Sequence, residues 1–279
     1  MILNSTLETV ALGTGALGAL AGALGTFAVL RRQSLFADAV SHAALPGVVL
    51  AFMLIGSKQP IVLALGAAFT GWLGALAVLA IVRMVRIPFD GALALVLSVF
   101  FGIGLLLLTS IQKQADARQA GLERYLFGQA ATMLMDDVRA ILYLGGLAAL
   151  ILALFWKEFQ LLAFDPGYAA GIGLPTGLLD AGLMLLLVIA VVLGLQAVGV
   201  VLMSALVVAP AVAARPWCSR LGPTVLLAGL VGGLCGFVGT LFGDWLSIPT
   251  GPAIVLVATA FVAASIAASR MRRTVRGPA

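Results

Sequence analysis

Residues 91–111 read GALALVLSVFFGIGLLLLTSI, 21 positions without one charged side chain. At a rise of 1.5 Å per residue such a helix is about 31 Å long, which matches the roughly 30 Å hydrocarbon core of a bilayer. A backbone segment this apolar can lie in lipid only as a helix or as part of a closed barrel, because every N–H and C=O must be paired internally. The run is unbroken rather than alternating, so it reads as a membrane-spanning helix.

Working outward, the same pattern recurs along the whole chain. Further apolar runs occupy residues 10–30, 34–55, 61–82, 138–156, 177–195, 198–214, 221–245 and 252–269. The expectation is an all-α, polytopic transmembrane bundle of eight or nine spans, with residues 1–279 forming a single transmembrane domain. The doubtful span is 198–214, which is short and contains Pro210. Composition agrees. Of 279 residues, 62% are hydrophobic and 10% are charged, against about 25% charged in a soluble domain. That excludes a soluble globular protein, and equally a disordered chain, which needs low hydrophobicity and high charge.

The net charge of +5 has a topological reading. Cytoplasmic loops of membrane proteins are enriched in Lys and Arg. Alternating nine spans from an outward N-terminus puts 11 basic residues inside and five outside. The inner set is Arg31, Arg32, Arg83, Arg86, Lys157, Arg215, Arg220, Arg270, Arg272, Arg273 and Arg276. A multi-pass protein with its N-terminus outside and C-terminus cytoplasmic is therefore expected. No basic stripe with interleaved aromatics is present, so nucleic acid is not an expected partner. Residues 112–137 carry both signs of charge and read as an outer loop with a short helix. Cys218 and Cys235 have no metal-binding or disulfide spacing.

Ionisable residues inside a span are costly, so each asks for a reason. The second run contains Asp38-Ala-Val-Ser-His42, and His42 is the only histidine of the chain. Positions four apart share one helical face. A carboxylate and an imidazole pointing together suit a borderline divalent cation such as zinc, manganese or iron(II). Two donors are few for a structural site, but a transit site must release its ion. The plainer alternative is an Asp–His contact that ties helices together. Pro46 lies four residues after His42 and cannot donate to its carbonyl, and Pro210 does the same for Leu206.

A second informative segment is AFDPGYAAGIGLP, residues 163–175. Asp165 is a good N-cap, Pro166 a good first helical residue, and Gly171 or Gly173 a good terminator. A helix of one to two turns is expected there, either a loop element or a docking surface for a cytoplasmic partner. Pairs of glycines four apart (Gly18 and Gly22, Gly229 and Gly233, Gly232 and Gly236, Gly239 and Gly243) suit close helix packing. Enzyme signatures are missing: there is no GxxxxGK[ST], HExxH or GxSxG. The chain is thus expected to be no enzyme, to hold no cofactor, and to take any ATP-derived energy from another polypeptide.

The stretch RQSLFADAVSHAALPG at 32–47 resembles the signature of the membrane permeases of bacterial metal-ion ABC importers, the zinc/manganese/iron class. Similar matches follow in order: GLERYLFG at 121–128, AFDP at 163–166, GLQAVGVVLMSALVVAP at 194–210 and LSIPTGP at 246–252. The resemblance covers nearly the whole chain. It implies a bacterial inner-membrane permease that pairs with a second permease subunit, identical or paralogous. It also implies a cytoplasmic ABC ATPase dimer and an extracytoplasmic metal-binding protein as partners, with membrane lipid as the surrounding solvent. By this resemblance Asp38 and His42 would meet the ion. The segment Asp165, Pro166, Gly167, Tyr168, Ala169, Ala170 and Gly171 would be the coupling helix. A permease for a metal chelate such as a siderophore or cobalamin, or a non-transporting membrane scaffold, are the competing readings.

Overall fold

The computed structural model describes residues 5–56, 59–112 and 133–276. Among these residues the chain is helical throughout, without a strand. The helices are α1 (Ser5–Leu30), α2 (Phe36–Ile55), α3 (Pro60–Val85), α4 (Phe89–Gln112), α5 (Met135–Leu154), α6 (Trp156–Phe164), α7 (Pro166–Gly171), α8 (Thr176–Val198), α9 (Val200–Ala214), α10 (Leu221–Leu246) and α11 (Thr250–Arg276). Eight of them are long and apolar enough to cross a membrane, and the apolar part of α9 is shorter. The eight-or-nine-span bundle read from the sequence is therefore present, with α9 as the uncertain member.

Boundaries differ from expectation in three places. The segment from Lys157 to Phe164, which lies between the apolar runs 138–156 and 177–195, belongs to α6. Its Phe159 and Leu162 are buried, and that burial outweighs the polar Lys157, Glu158 and Gln160. The basic tail after Ser269 is helical as far as Arg276, because arginine is a good helix former and positive charge suits a helix C-terminus. The helix α5 starts at Met135, where Asp136 and Asp137 occupy its first turn. The GLERYLFG motif and most of the mixed-charge outer loop lie outside the described residues.

The chain falls into two compact units. In the first (residues 1–34, 130–149 and 204–279), α1 lies along α10 at backbone contact. A Cβ on Gly18 would run into the Gly232 carbonyl, and one on Gly236 into the Thr14 carbonyl. The Thr14 hydroxyl donates to the Val10 carbonyl at 2.9 Å and meets the Thr240 hydroxyl across the contact at 2.8 Å. Small residues thus bring two helices close enough for side chains to bond across the contact, as in other membrane bundles. Both cysteines are free.

In the second unit (residues 35–129 and 150–203), α2 is the central helix, packed on α3 and α4. The carbonyls of Gly47 and Gly66 leave no room for a Cβ on the facing glycine. The helix α2 runs through Pro46. It ends at Gly56, whose φ of 65° closes the last turn by a bond from its N–H to the Phe52 carbonyl. Leu45 fills the space over Gly104 of α4.

Candidate functional site

The helix α2 is buried along nearly all of its first three and a half turns. Within residues 36–49 every position is buried except Asp38 and His42. The side chain of Asp38 is 39% exposed and that of His42 27% exposed. Over residues 36–49 the two polar side chains therefore form the one accessible strip, one turn apart as the sequence spacing requires.

Their mutual geometry is loose. His42 Nε2 stands 3.7 Å from Asp38 Oδ1, longer than a hydrogen bond. The pair is not simply tied to itself. Two ligands each about 2.1 Å from a tetrahedral ion stand about 3.4 Å apart, so one cation can bridge this carboxylate and imidazole after a shift of a few tenths of an ångström. No group of three or more His, Cys, Asp or Glu capable of holding a metal occurs among the described residues. A bound ion would complete its coordination with donors beyond this pair. Such a half-open site suits passage better than storage.

Sequence reasoning missed what holds His42. The ring of Phe101, on α4, meets the imidazole edge to face at 4.7 Å between centroids, with an interplanar angle of 74°. Nothing in the run SVFFGIG sets Phe101 apart from its neighbours, and only the packing of α4 on α2 reveals it.

The second candidate segment folds as expected. Asp165 caps α7, its Oδ1 accepting from the Tyr168 N–H at 2.8 Å, and Pro166 is the first helical residue. Termination also follows the sequence. Gly173 takes φ 86°, and the N–H groups of Leu174 and Gly173 donate back to the carbonyls of Ala169 and Ala170 at 3.1 and 3.0 Å, a Schellman closure. Ala169 is buried under the turn, while Gly167, Tyr168, Ala170, Gly171 and Ile172 are exposed. The result is a turn capped at both ends that presents an aromatic and an aliphatic side chain, Tyr168 and Ile172.

A second unforeseen contact lies beside α7. Arg83, in the last turn of α3, reaches the first turns of α8, its Nη2 standing 3.5 Å from Asp180 Oδ2. The guanidinium lies over Gly177, where a Cβ would come within 2.8 Å of Nη1. The α7–α8 segment is thereby tied to α3, which packs on the helix carrying Asp38 and His42.

Comparison with known proteins decides the family. A family model described as the ABC 3 transport family matches residues 4–269. The chain belongs to the ABC 3 transport family. This member is 49% identical over 262 residues to the zinc transport system membrane protein TroC of Treponema pallidum (strain Nichols), over 94% of this chain and 88% of that one. It is 44% identical over 253 residues to the manganese transport system membrane protein MntC of Bacillus subtilis (strain 168), over 90% of this chain and 58% of that longer protein. Among solved structures it is similar to PsaBC from Streptococcus pneumoniae in complex with Fab. There the TM-score is 0.81 at 29% identity, with 94% of this chain and 91% of that chain covered. With its eight apolar helices, this ABC 3 family member is a multi-pass membrane protein.

Proposed function

We propose that the protein is the pathway-forming permease of an ATP-driven importer of divalent transition metal ions, of the zinc, manganese or iron class. The observation that carries this reading is the accessible Asp38–His42 strip on the buried helix α2. Relatives named for zinc and manganese transport support it. The donor pair itself accepts several borderline ions. Membership of a transport family weighs against the scaffold reading. A large chelate would need a wide cavity rather than ion ligands, so the exposed Asp–His pair weighs against that cargo.

In this reading residues 1–279 act as one permease domain in the bacterial inner membrane, beside an identical or paralogous second permease. An extracytoplasmic binding protein delivers the ion, and Asp38 and His42 receive it. The chain does no covalent chemistry and holds no cofactor; the metal is cargo. A cytoplasmic ATPase dimer docks on the turn Asp165–Gly171, with Tyr168 as the protruding contact and Ala169 anchoring the turn. ATP binding and hydrolysis stabilise two conformations differently, and that difference moves the ion.

Metal uptake at limiting concentration tests the assignment. Asp38→Ala and His42→Ala, each made at wild-type abundance in the membrane, should lower the uptake rate by tenfold or more. Wild-type uptake by both variants would overturn the ligand roles. Co-purification with a P-loop ATPase in mild detergent tests the docking turn, and Tyr168→Ala should weaken it.

A further inference from the structure

In the first unit, α9, α10 and α11 enclose an apolar groove that the transport reading leaves unused. Its volume is about 410 Å³, within the roughly 300–1,000 Å³ range of small-molecule sites. Leu227 and Val231 of α10 form one wall, and Phe261 and Ala264 of α11 the other. Trp217, just beyond α9, lines one end. The polar groups on the wall are used internally. Trp217 Nε1 donates to Ser265 Oγ at 2.7 Å, and Ser265 Oγ donates to the Ala213 carbonyl at 2.6 Å. The groove therefore recognises an apolar occupant rather than a hydrogen-bonding one.

Its position fixes what kind. Val231 lies ten residues into α10 from Leu221, and Phe261 lies eleven residues before Arg272. At 1.5 Å per residue both distances are about 15 Å, half the hydrocarbon core and thus the depth of one leaflet. The Trp217 end of the groove carries positive charge. The Arg272 guanidinium sits 4.8 Å from the centroid of the Trp217 ring. Between residues 204 and 279 the charged residues are Arg215, Arg220, Arg270, Arg272, Arg273 and Arg276 against Asp244 alone, and Asp244 is at the far end of α10. A second copy rotated about the membrane normal would bring its own arginines to the same level, so like charges would face each other. A lipid phosphate meets them with opposite charge, and basic clefts between spans are known to take anionic head groups.

We propose that this groove binds one anionic phospholipid, an acyl chain lying along Leu227, Val231 and Phe261 and the phosphate held at Arg272. The inference is independent of the transport reading. The test is native mass spectrometry of the full chain in detergent, with added phosphatidylglycerol or phosphatidylcholine. Wild type should retain one phosphatidylglycerol in preference to phosphatidylcholine. Arg272→Gln, a change at an exposed helix end, should weaken that retention about fivefold. Ala264→Trp, which fills the groove, should abolish it. Equal retention of the two lipids by wild type, or unchanged phosphatidylglycerol retention in Arg272→Gln, would overturn the proposal. Conversion of a dimer to a monomer by Ala264→Trp would also overturn it, by identifying a second copy as the occupant.

Discussion

Asp38 and His42 were legible in the sequence because their spacing of four fixes a common face on any helix. Their accessibility was not, since it depends on how α3 and α4 close around the rest of α2. Phe101 belongs wholly to that second kind of information. An edge-to-face aromatic contact contributes about 0.5–1.5 kcal/mol beyond its buried area, and here it restrains the imidazole rather than touching cargo. Phe101→Ala should therefore raise the metal concentration for half-maximal uptake two- to tenfold, while the maximal rate stays near wild type. Equal loss at limiting and saturating metal would instead mean that the ring supports α4 as a whole. Gly18 and Gly232 show the same division: their spacing announced close packing, but the carbonyl each one meets could be named only from the fold.

At the scale of elements, α7 was the most readable piece. Its start and stop are written in local chemistry, the Asp165 cap with Pro166 and the glycine at 173. The helix α6 was unreadable for the opposite reason: it owes its helicity to burying Phe159 and Leu162. The link between α3 and α8 was equally hidden, because Arg83 and Asp180 are far apart in sequence. The Arg83 side chain is 55% exposed, so the pair adds little to stability. It does join α3 to the segment that follows α7. Arg83→Asp or Asp180→Arg alone, each placing like charges together, should lower metal uptake severalfold at unchanged abundance. Combining the two restores opposite charges and should recover most of the loss. A double variant no better than the singles would remove the pair from any role in coupling.

For the whole molecule, the open question in the sequence was whether the seventh run crosses the membrane, and it turns on α9. Its 15 residues reach about 22 Å, short of the roughly 30 Å core. It follows α8 after a single residue, Gly199, whose φ of 87° is open to glycine alone among common residues. Leu202, Met203, Leu206, Val207, Ala211, Ala213 and Ala214 are buried, so the short helix is enclosed by protein and need not span lipid by itself. Non-standard spans are tolerated in that setting. Charge makes the crossing testable. The connection from α9 to α10 carries Arg215 and Arg220; with the N-terminus outside, counting α9 as a span puts both on the cytoplasmic side, where basic residues belong. Omitting it puts them outside. Cys218 lies in that connection, partly exposed, while Cys235 is buried in α10. In a Cys235→Ala variant, a membrane-impermeant maleimide should leave intact cells unlabelled and label Cys218 in inside-out vesicles. For a chain whose N-terminus is outside, labelling of intact cells would reduce the protein to eight crossings and reverse the sidedness of α10 and α11.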